Sequence, residues 1–133
     1  MVVALDGDQG RYRPGACNIG PEEMAARRRI GLVQLALAVA LGAALLALDT
    51  PPWTRIAVWP LLAAALVTLE QVRRRFCVAF GFAGLRNFGR LGHAERIEDA
   101  DARATDRRAA LVMVTYCALA AAAVTALFVG IPG

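Results

Sequence analysis

Two cysteines, Cys17 and Cys77, are the side chains of this 133-residue chain best suited to chemistry. Cys17 lies close to the positive end of a predicted helix, and Cys77 follows three arginines, two residues after the last of them. Both surroundings favour the thiolate, which is the reactive form of a cysteine. Two such thiols on one surface could take up sulfur, form a transient disulfide or bind a soft metal ion. The alternative is that Cys17 is merely exposed and Cys77 is merely an apolar residue at the membrane interface.

Other reactive or metal-binding patterns are missing from the sequence. It has three cysteines and one histidine, with no CxxC or CxxCH motif, so it predicts neither structural zinc nor covalent haem. Phosphate-binding glycine loops and a Ser/His/Asp set are also missing. We therefore expect no metal and no cofactor, and we expect Cys117 only to pack. These absences favour a protein without enzymatic activity, with thiol chemistry at Cys17 and Cys77 as the alternative. Four side chains could in principle gather a metal ion, namely His93, Glu95, Glu98 and Asp99. We interpret them instead as part of a solvated charged stretch.

Three apolar runs must position these residues. The chain is 58% apolar, above the roughly 45–50% of soluble domains. The runs cover residues 30–48, 56–69 and 109–131, which as helices would extend about 28, 21 and 34 Å. A bilayer core is about 30 Å thick, so the second run is short for a span. It can cross if Arg55 snorkels to the surface and two tryptophans, Trp53 and Trp59, anchor that end.

The sequence therefore predicts an all-α integral membrane protein with three transmembrane helices and a cytoplasmic interfacial segment. We expect one membrane domain over residues 1–133, with Thr105 and Asp106 as caps ahead of the third helix. Its parts are a polar N-terminal segment (1–20), helices over 21–49, 53–72 and 109–131, an interfacial or re-entrant segment (73–92) and a charged cytoplasmic loop (93–108).

The arginines set the predicted orientation. Five precede the first helix, nine lie between the second and third helices, and only Arg55 lies between the first and second. The positive-inside rule then places the N-terminus and the long loop in the cytoplasm and the C-terminus outside. The alanine- and arginine-rich composition suggests a bacterial source, which makes the inner membrane the expected location. Arginines that flank apolar runs, without interleaved aromatic residues, argue against nucleic-acid binding.

The stretch RRRFCVAFGFAGLRNFG, residues 73–89, is too short to span a bilayer. We expect it to lie in the interface, with phenylalanines towards the lipid and arginines on anionic headgroups. A re-entrant loop that lines a pocket is the alternative. The predicted lipid-contacting residues are Arg73, Arg74, Arg75, Phe76 and Phe80.

Small residues on the third helix predict a packing face. They recur every fourth residue, which lets helix backbones approach closely in lipid, and they are Ala118, Ala122, Ala126 and Gly130. The partner would be a second copy, another membrane protein, or the first helix of the same chain through Ala36, Ala40 and Ala44. Ala120 and Ala121 are predicted to lie off this face. Gln34 and Glu70 are expected at similar depth, where they could hydrogen-bond across the hairpin.

An Asn-Ile-Gly triplet (residues 18–20) precedes the first helix, Arg29 leads into Gly31 where that helix enters the membrane, and Cys77 follows Phe76 after a short hairpin. With these features, residues 18–77 resemble the small two-helix membrane domain of the DUF2892 type, which some bacterial proteins carry next to a rhodanese (sulfurtransferase) domain. The chain departs from that pattern at Val78, where the family usually has proline, and it adds a third helix. At 133 residues it leaves no room for a rhodanese domain. The resemblance implies a membrane hairpin with a link to sulfur chemistry. The residues that carry it are Asn18, Ile19, Gly20, Arg29, Gly31, Phe76 and Cys77.

Three functions follow as hypotheses. The first is a non-enzymatic membrane component, either a homo-oligomer or an accessory subunit of a membrane complex, with lipids and membrane proteins as its partners. The second is thiol-dependent handling of sulfur or redox equivalents at the cytoplasmic surface through Cys17 and Cys77. The third is a minimal transporter built from several copies, although no intramembrane charge is available to couple transport.

Overall fold

The computed structural model describes residues 12–132, and this part of the chain is mostly helical. A 3₁₀ helix and a two-stranded antiparallel ribbon, which pairs Leu85 with Arg96 and Arg86 with Glu95, complete it. In chain order the elements are α1 (Pro21–Ala47), the 3₁₀ helix (Pro52–Ala57), α2 (Val58–Arg74), α3 (Val78–Ala83), β1 (Leu85–Arg86), β2 (Glu95–Arg96) and α4 (Ala100–Val129).

Three helical segments are long and apolar enough to cross a membrane, namely Pro21–Ala47, Pro52–Arg74 and Ala100–Val129. The predicted helical class and three spanning segments agree with this, and the finding suggests a multi-pass membrane protein. The second segment reaches 23 residues because the 3₁₀ helix runs directly into α2. Its length therefore exceeds the apolar run that made it look short.

Arg55 does not snorkel, contrary to the prediction. Its side chain is only 1% exposed and turns inward to the end of α4. Its Nη1 donates to the carbonyl oxygens of Phe128 at 3.0 Å and Ile131 at 2.7 Å. Its guanidinium also lies 5.3 Å from the centre of the Phe128 ring. The last carbonyls of a helix lack partners within the helix, and a buried cation is favourable there.

The third spanning helix begins at Ala100, well before its apolar run, so residues 100–108 are helical and not part of a loop. The predicted caps at Thr105 and Asp106 are wrong. Asp99 is the N-cap, with extended backbone and a carboxylate that accepts from the Asp101 N–H at 3.3 Å. An aspartate at this position satisfies a free amide of the first turn.

α2 lies between α1 and α4 and packs against both. Its contact with α1 is close because glycines face it. A Cβ built on Gly31 would lie 2.6 Å from a methyl group of Leu69, so a side chain at this position would force the helices apart. The residues of α1 that are buried within the apolar run are Gly31, Ala38 and Gly42. The stripe Ala36, Ala40 and Ala44 of α1 is exposed.

The face of α4 that packs inside the chain is not the predicted one. Its buried positions in the apolar run are Ala110, Met113, Cys117, Ala121 and Thr125. Ala121, predicted to lie off the packing face, is 0% exposed and belongs to it. The predicted stripe lies on the neighbouring face, where Ala118 is half-buried and Ala122, Ala126 and Gly130 are exposed.

A small core lies where α2 ends. Arg75 takes a left-handed conformation (φ 55°) that ends α2 and turns the chain back towards α4. Phe76 is then only 1% exposed and packs with Ala110, Met113 and Cys117. Gly81 of α3 touches the same ring, since a Cβ built there would lie 2.8 Å from it. The prediction that Phe76 faces lipid is therefore wrong, because its ring fills the gap between α3 and α4.

Candidate functional site

The candidate site is built around Cys77, at the end of the molecule where α2 ends and α1 begins. Asn18, fully buried, pairs its side chain with the backbone of Cys77. Its Oδ1 accepts from the Cys77 N–H at 2.7 Å, and its Nδ2 donates to the Cys77 carbonyl at 3.2 Å. The Asn18 amide also donates to the Arg75 carbonyl at 3.0 Å. The N-terminal segment thereby holds the turn that carries the thiol.

The Cys77 sulfur lies against a cation. Arg27 of α1 donates from Nη2 to Cys77 Sγ at 2.8 Å. The other arm of the same guanidinium is paired with the Glu23 carboxylate, one turn earlier on α1. The ring of Phe80 lies 5.6 Å below the guanidinium. Held from three sides, Arg27 keeps its donor directed at the sulfur.

Asn87 completes this cluster from the segment after β1. Its Nδ2 donates to Glu23 Oε2 at 2.7 Å and to the Arg90 carbonyl at 2.8 Å. Its backbone carbonyl accepts from Gly20 at 2.8 Å, and its amide donates to the Asn18 carbonyl at 2.9 Å. Glu23 is 5% exposed and Asn87 2%, so the carboxylate and the amide are both buried and both paired.

We call Asn18, Glu23, Arg27, Cys77 and Asn87 the polar cluster. Sequence reasoning missed Glu23, Arg27 and Asn87 as site residues. The sequence did contain a signal for the polar cluster. Its only two asparagines each begin an Asn-x-Gly triplet, at residues 18–20 and 87–89. The two triplets lie side by side through a parallel bridge between residues 19 and 87. Gly20 permits this approach, since a Cβ there would lie 2.8 Å from the Phe88 carbonyl oxygen.

Cys17 and Cys77 both lie at this end of the molecule and both are free, as is Cys117. Cys17 is 4% exposed and Cys77 is 1% exposed, so the alternative of a merely exposed Cys17 is wrong. Cys17 is enclosed because its backbone pairs with Arg13 in a tight turn, with the Arg13 amide donating to the Cys17 carbonyl at 2.9 Å. Because both thiols are buried, a reagent reaches either sulfur only when the segments around it open.

A second polar contact ties the N-terminal segment to α4. The Asp106 carboxylate, 0% exposed, accepts from the Tyr12 hydroxyl at 2.7 Å and from the Gly15 amide at 2.6 Å. Burial, followed by the hydrogen bond to Asp106, holds the pKa of Tyr12 well above its usual range. The side chain predicted to cap α4 therefore anchors the segment that precedes α1.

The arginines predicted to contact lipid differ in their partners. Arg73, Arg74 and Arg75 are all exposed. Arg73 forms a fork with Glu70, at 2.7 and 2.5 Å, and the same carboxylate accepts from the Tyr116 hydroxyl. Glu70 therefore pairs with Arg73 and Tyr116. The predicted hydrogen bond between Glu70 and Gln34 is not formed.

Gln34 Oε1 is buried and has no hydrogen-bond partner among residues 12–132. Phe80, also predicted to contact lipid, is half-buried under Arg27. Within the described range, no three His, Cys, Asp or Glu side chains gather in a group that could hold a metal ion. His93 lies instead against Arg90, at 3.4 Å between ring and guanidinium nitrogens.

Comparison of the chain with protein-family models, with curated proteins and with solved structures gave no match. The functional interpretation therefore depends on the geometry of the chain itself.

Proposed function

We propose that this chain is a multi-pass protein of the bacterial inner membrane, with a cytoplasmic N-terminus and an external C-terminus. The distribution of arginine supports the orientation. The start of α1, the end of α2 and the start of α4 meet at one end of the molecule, and these are the arginine-rich segments. Among the arginines of residues 12–132, Arg55 alone lies at the opposite end, beside the end of α4. Cytoplasmic ends of spanning helices carry such an excess of positive charge.

Within the membrane, the chain serves as a non-enzymatic component, either a homo-oligomer or an accessory subunit of a larger complex. One observation carries this proposal. The stripe of Ala118, Ala122, Ala126 and Gly130 remains largely uncovered, while the adjacent face of α4 packs inside the chain. In lipid, small residues at four-residue spacing favour close helix contacts, because packing replaces the hydrophobic effect as the driving force.

Substitution on and off the stripe tests this role. Ala122→Leu places a bulky side chain on the exposed stripe, whereas Ala120→Leu makes the same change at an exposed alanine outside it. Neither site is buried within the chain, so both variants should keep the thermal midpoint of the wild type. We expect Ala122→Leu to shift the particle mass towards the monomer in detergent, measured by light scattering, and Ala120→Leu to leave it unchanged.

Equal particle masses for the wild type and both variants would contradict a contact through this stripe. Ala121→Leu is not a suitable control, because Ala121 is fully buried against the chain itself. The accessory-subunit form of the proposal predicts that a second membrane protein, co-purified in mild detergent from the native membrane, is lost with Ala122→Leu and retained with Ala120→Leu.

A second candidate, thiol-dependent handling of sulfur or redox equivalents, has one observation in its favour. The Cys77 sulfur is held 2.8 Å from the Arg27 guanidinium, which places a cation beside the atom that would act as the nucleophile. The resemblance of residues 18–77 to the DUF2892-type hairpin also implies a link to sulfur chemistry. In this candidate the Cys77 thiolate attacks the outer sulfur of a persulfide donor, the donor S–S bond breaks, and the donor thiolate leaves.

Incubation of the purified protein with glutathione persulfide tests the second candidate. We expect mass spectrometry to show one added sulfur atom on the peptide that contains Cys77. The addition should slow with Arg27→Gln, which removes the cation, and should remain at the wild-type rate with Arg28→Gln, an exposed neighbour. No sulfur on Cys77, even after long incubation in detergent, would contradict this candidate.

A further inference from the structure

An open cavity lies at the arginine-rich end of the molecule, between the N-terminal segment, the end of α2 and α4. Its volume is about 330 Å³, at the lower limit of small-molecule sites. The side chains that α4 contributes to its wall change from polar to apolar along the helix. Thr105 and Arg108 lie at one end, Val112 and Met113 lie at the other, and Arg74 approaches from α2.

The two arginines of this cavity have no carboxylate partner among residues 12–132. The nearby acids are engaged elsewhere: Asp106 accepts from Tyr12 and Gly15, and Glu70 accepts from Arg73 and Tyr116. Within residues 12–132, the side chain of Arg74 makes one hydrogen bond, at 3.4 Å between Nη1 and the Tyr116 hydroxyl. Both arginines are exposed, and most of their donors have no partner in this described range.

We propose that this cavity binds the phosphate of an anionic phospholipid, with Arg74 and Arg108 as the two cationic donors. Guanidinium forks match the oxygens of a phosphate and form charge-assisted hydrogen bonds with it. Basic pockets between transmembrane helices at the cytoplasmic side suit such headgroups. Arg74 also reaches the hydroxyl of Tyr116, which is itself held by Glu70.

The apolar half of the cavity selects a lipid over a free phosphate ion. Val112 and Met113 lie just inside the apolar run of α4, which begins at residue 109, so an acyl chain would continue from the headgroup along this helix. Arg108 lies at the last charged position before that run. The inference rests on the proposed membrane location, which places this boundary at the level of the headgroups.

Native mass spectrometry of the full chain in neutral detergent, titrated with phosphatidylglycerol, tests the inference. We expect Arg74→Gln and Arg108→Gln each to weaken binding by about tenfold, the factor that the loss of one charge-assisted hydrogen bond gives. Arg107→Gln is the matched control, because it removes the same charge from the next residue outside the cavity. We expect that variant to bind within about twofold of the wild type, as a surface substitution should.

A second variant acts without a change of charge. Val112→Trp fills the cavity from an exposed position, 55% accessible, so the fold should tolerate it and lipid binding should fall. Phosphatidylcholine should bind more weakly than phosphatidylglycerol, and millimolar inorganic phosphate should not displace the anionic lipid. Equal losses for Arg107→Gln and Arg108→Gln would overturn the site in favour of diffuse charge attraction. Displacement by inorganic phosphate alone, or unchanged binding in Val112→Trp, would also overturn it.

Failure of this experiment would be distinguishable from failure of the proposed function. The stripe on α4 is tested by particle mass with Ala122→Leu, a position that does not line the cavity. If the arginine variants lose the phospholipid but keep the particle mass, the two proposals are separate. They are also separate if Ala122→Leu lowers the particle mass but keeps lipid binding.

Discussion

Replacement of Asn18 by alanine should release the turn that carries Cys77. Asn18 is 0% exposed, and its side chain is bonded to both the N–H and the carbonyl of Cys77, at 2.7 and 3.2 Å. Alanine removes both hydrogen bonds. The Cys77 carbonyl still accepts from the Gly81 N–H at 2.8 Å, but the buried Cys77 N–H is left without a partner. One such group costs about 1–3 kcal/mol, so we expect a destabilisation of about 2 kcal/mol.

The Cys77 sulfur supplies the assay. It is enclosed in the native state, so a maleimide reaches it only when the polar cluster opens. If reclosing is faster than labelling, the labelling rate follows the population of the open state. A destabilisation of about 2 kcal/mol then corresponds to labelling about 30-fold faster than in the wild type. Tryptic peptides separate Cys77 from Cys17 and Cys117, so all native cysteines can remain.

Thr115→Ala is the matched control. It also removes a polar side chain, but the hydroxyl of Thr115 is exposed and donates only to the Leu111 carbonyl of its own helix, at 2.7 Å. Labelling of Cys77 in this variant should match the wild type. If Asn18→Ala labels no faster than Thr115→Ala, the side chain of Asn18 does not hold the turn closed, and the description of the polar cluster as the barrier to Cys77 is refuted.

Three further predictions test other parts of the fold. Arg55→Leu should destabilise the protein by about 2–3 kcal/mol, because the carbonyls at the end of α4 lose a charged donor. Arg55→Lys should recover part of the thermal midpoint in detergent. Equal thermal midpoints for the wild type and Arg55→Leu would contradict the inward position of Arg55. Gly20→Ala should cost about 1–3 kcal/mol because its Cβ would meet the backbone of residue 88 at 2.8 Å, whereas Gly89→Ala, with nothing closer than 3.9 Å, should be tolerated; the opposite order in thermal unfolding would refute the close approach. Single cysteines can be placed at Asp49 and Ala104, both exposed, after the native cysteines are replaced by alanine. An impermeant reagent should label position 49 in intact spheroplasts and position 104 only after lysis. Labelling of both positions in intact spheroplasts would contradict the proposed topology.

The spanning helices could be predicted because their signal is local. Long uncharged runs mark helices that suit a bilayer, and the structure has helices at all three runs. Their bounds could not be read from hydropathy alone. α4 begins at Ala100 because Asp99 caps a charged first turn, and such residues carry no apolar signal. The second segment gains its length from a 3₁₀ turn that two prolines made look like a loop.

The packing face of α4 could not be predicted, and the reason is compositional. Alanines lie on every side of this helix, so four-residue spacing occurs on more than one face. Larger residues such as Met113 and the ring of Phe76, which arrives from another segment, select the face that packs. The predicted stripe at Ala118 and Ala122 has the right spacing but lies on the adjacent face.

Only part of the candidate site could be predicted from the sequence, namely Cys77 with a cation near it. Cys77 and its neighbouring arginines suggested a cation beside the sulfur, but the cation is Arg27, 50 positions away. Asn18 and Asn87 act through pairings that no local pattern encodes, at separations of 59 residues to Cys77 and 64 residues to Glu23. Hydropathy methods read polar residues before a spanning helix as solvated ends, and here they are buried.

The contact between the N-terminal segment and Asp106 has a consequence for biosynthesis. Tyr12 and Gly15 emerge from the ribosome early, but the carboxylate that they bind lies 94 and 91 residues later in the chain. Asn18 likewise waits for Cys77 and Asn87. The segment that precedes α1 is therefore made before its partners, and it can dock only after α1 and α2 have been synthesised and α4 has begun. Until then Tyr12 and Gly15 lack the carboxylate that they bind, and a nascent chain that stalls before residue 106 leaves this segment undocked and open to proteases.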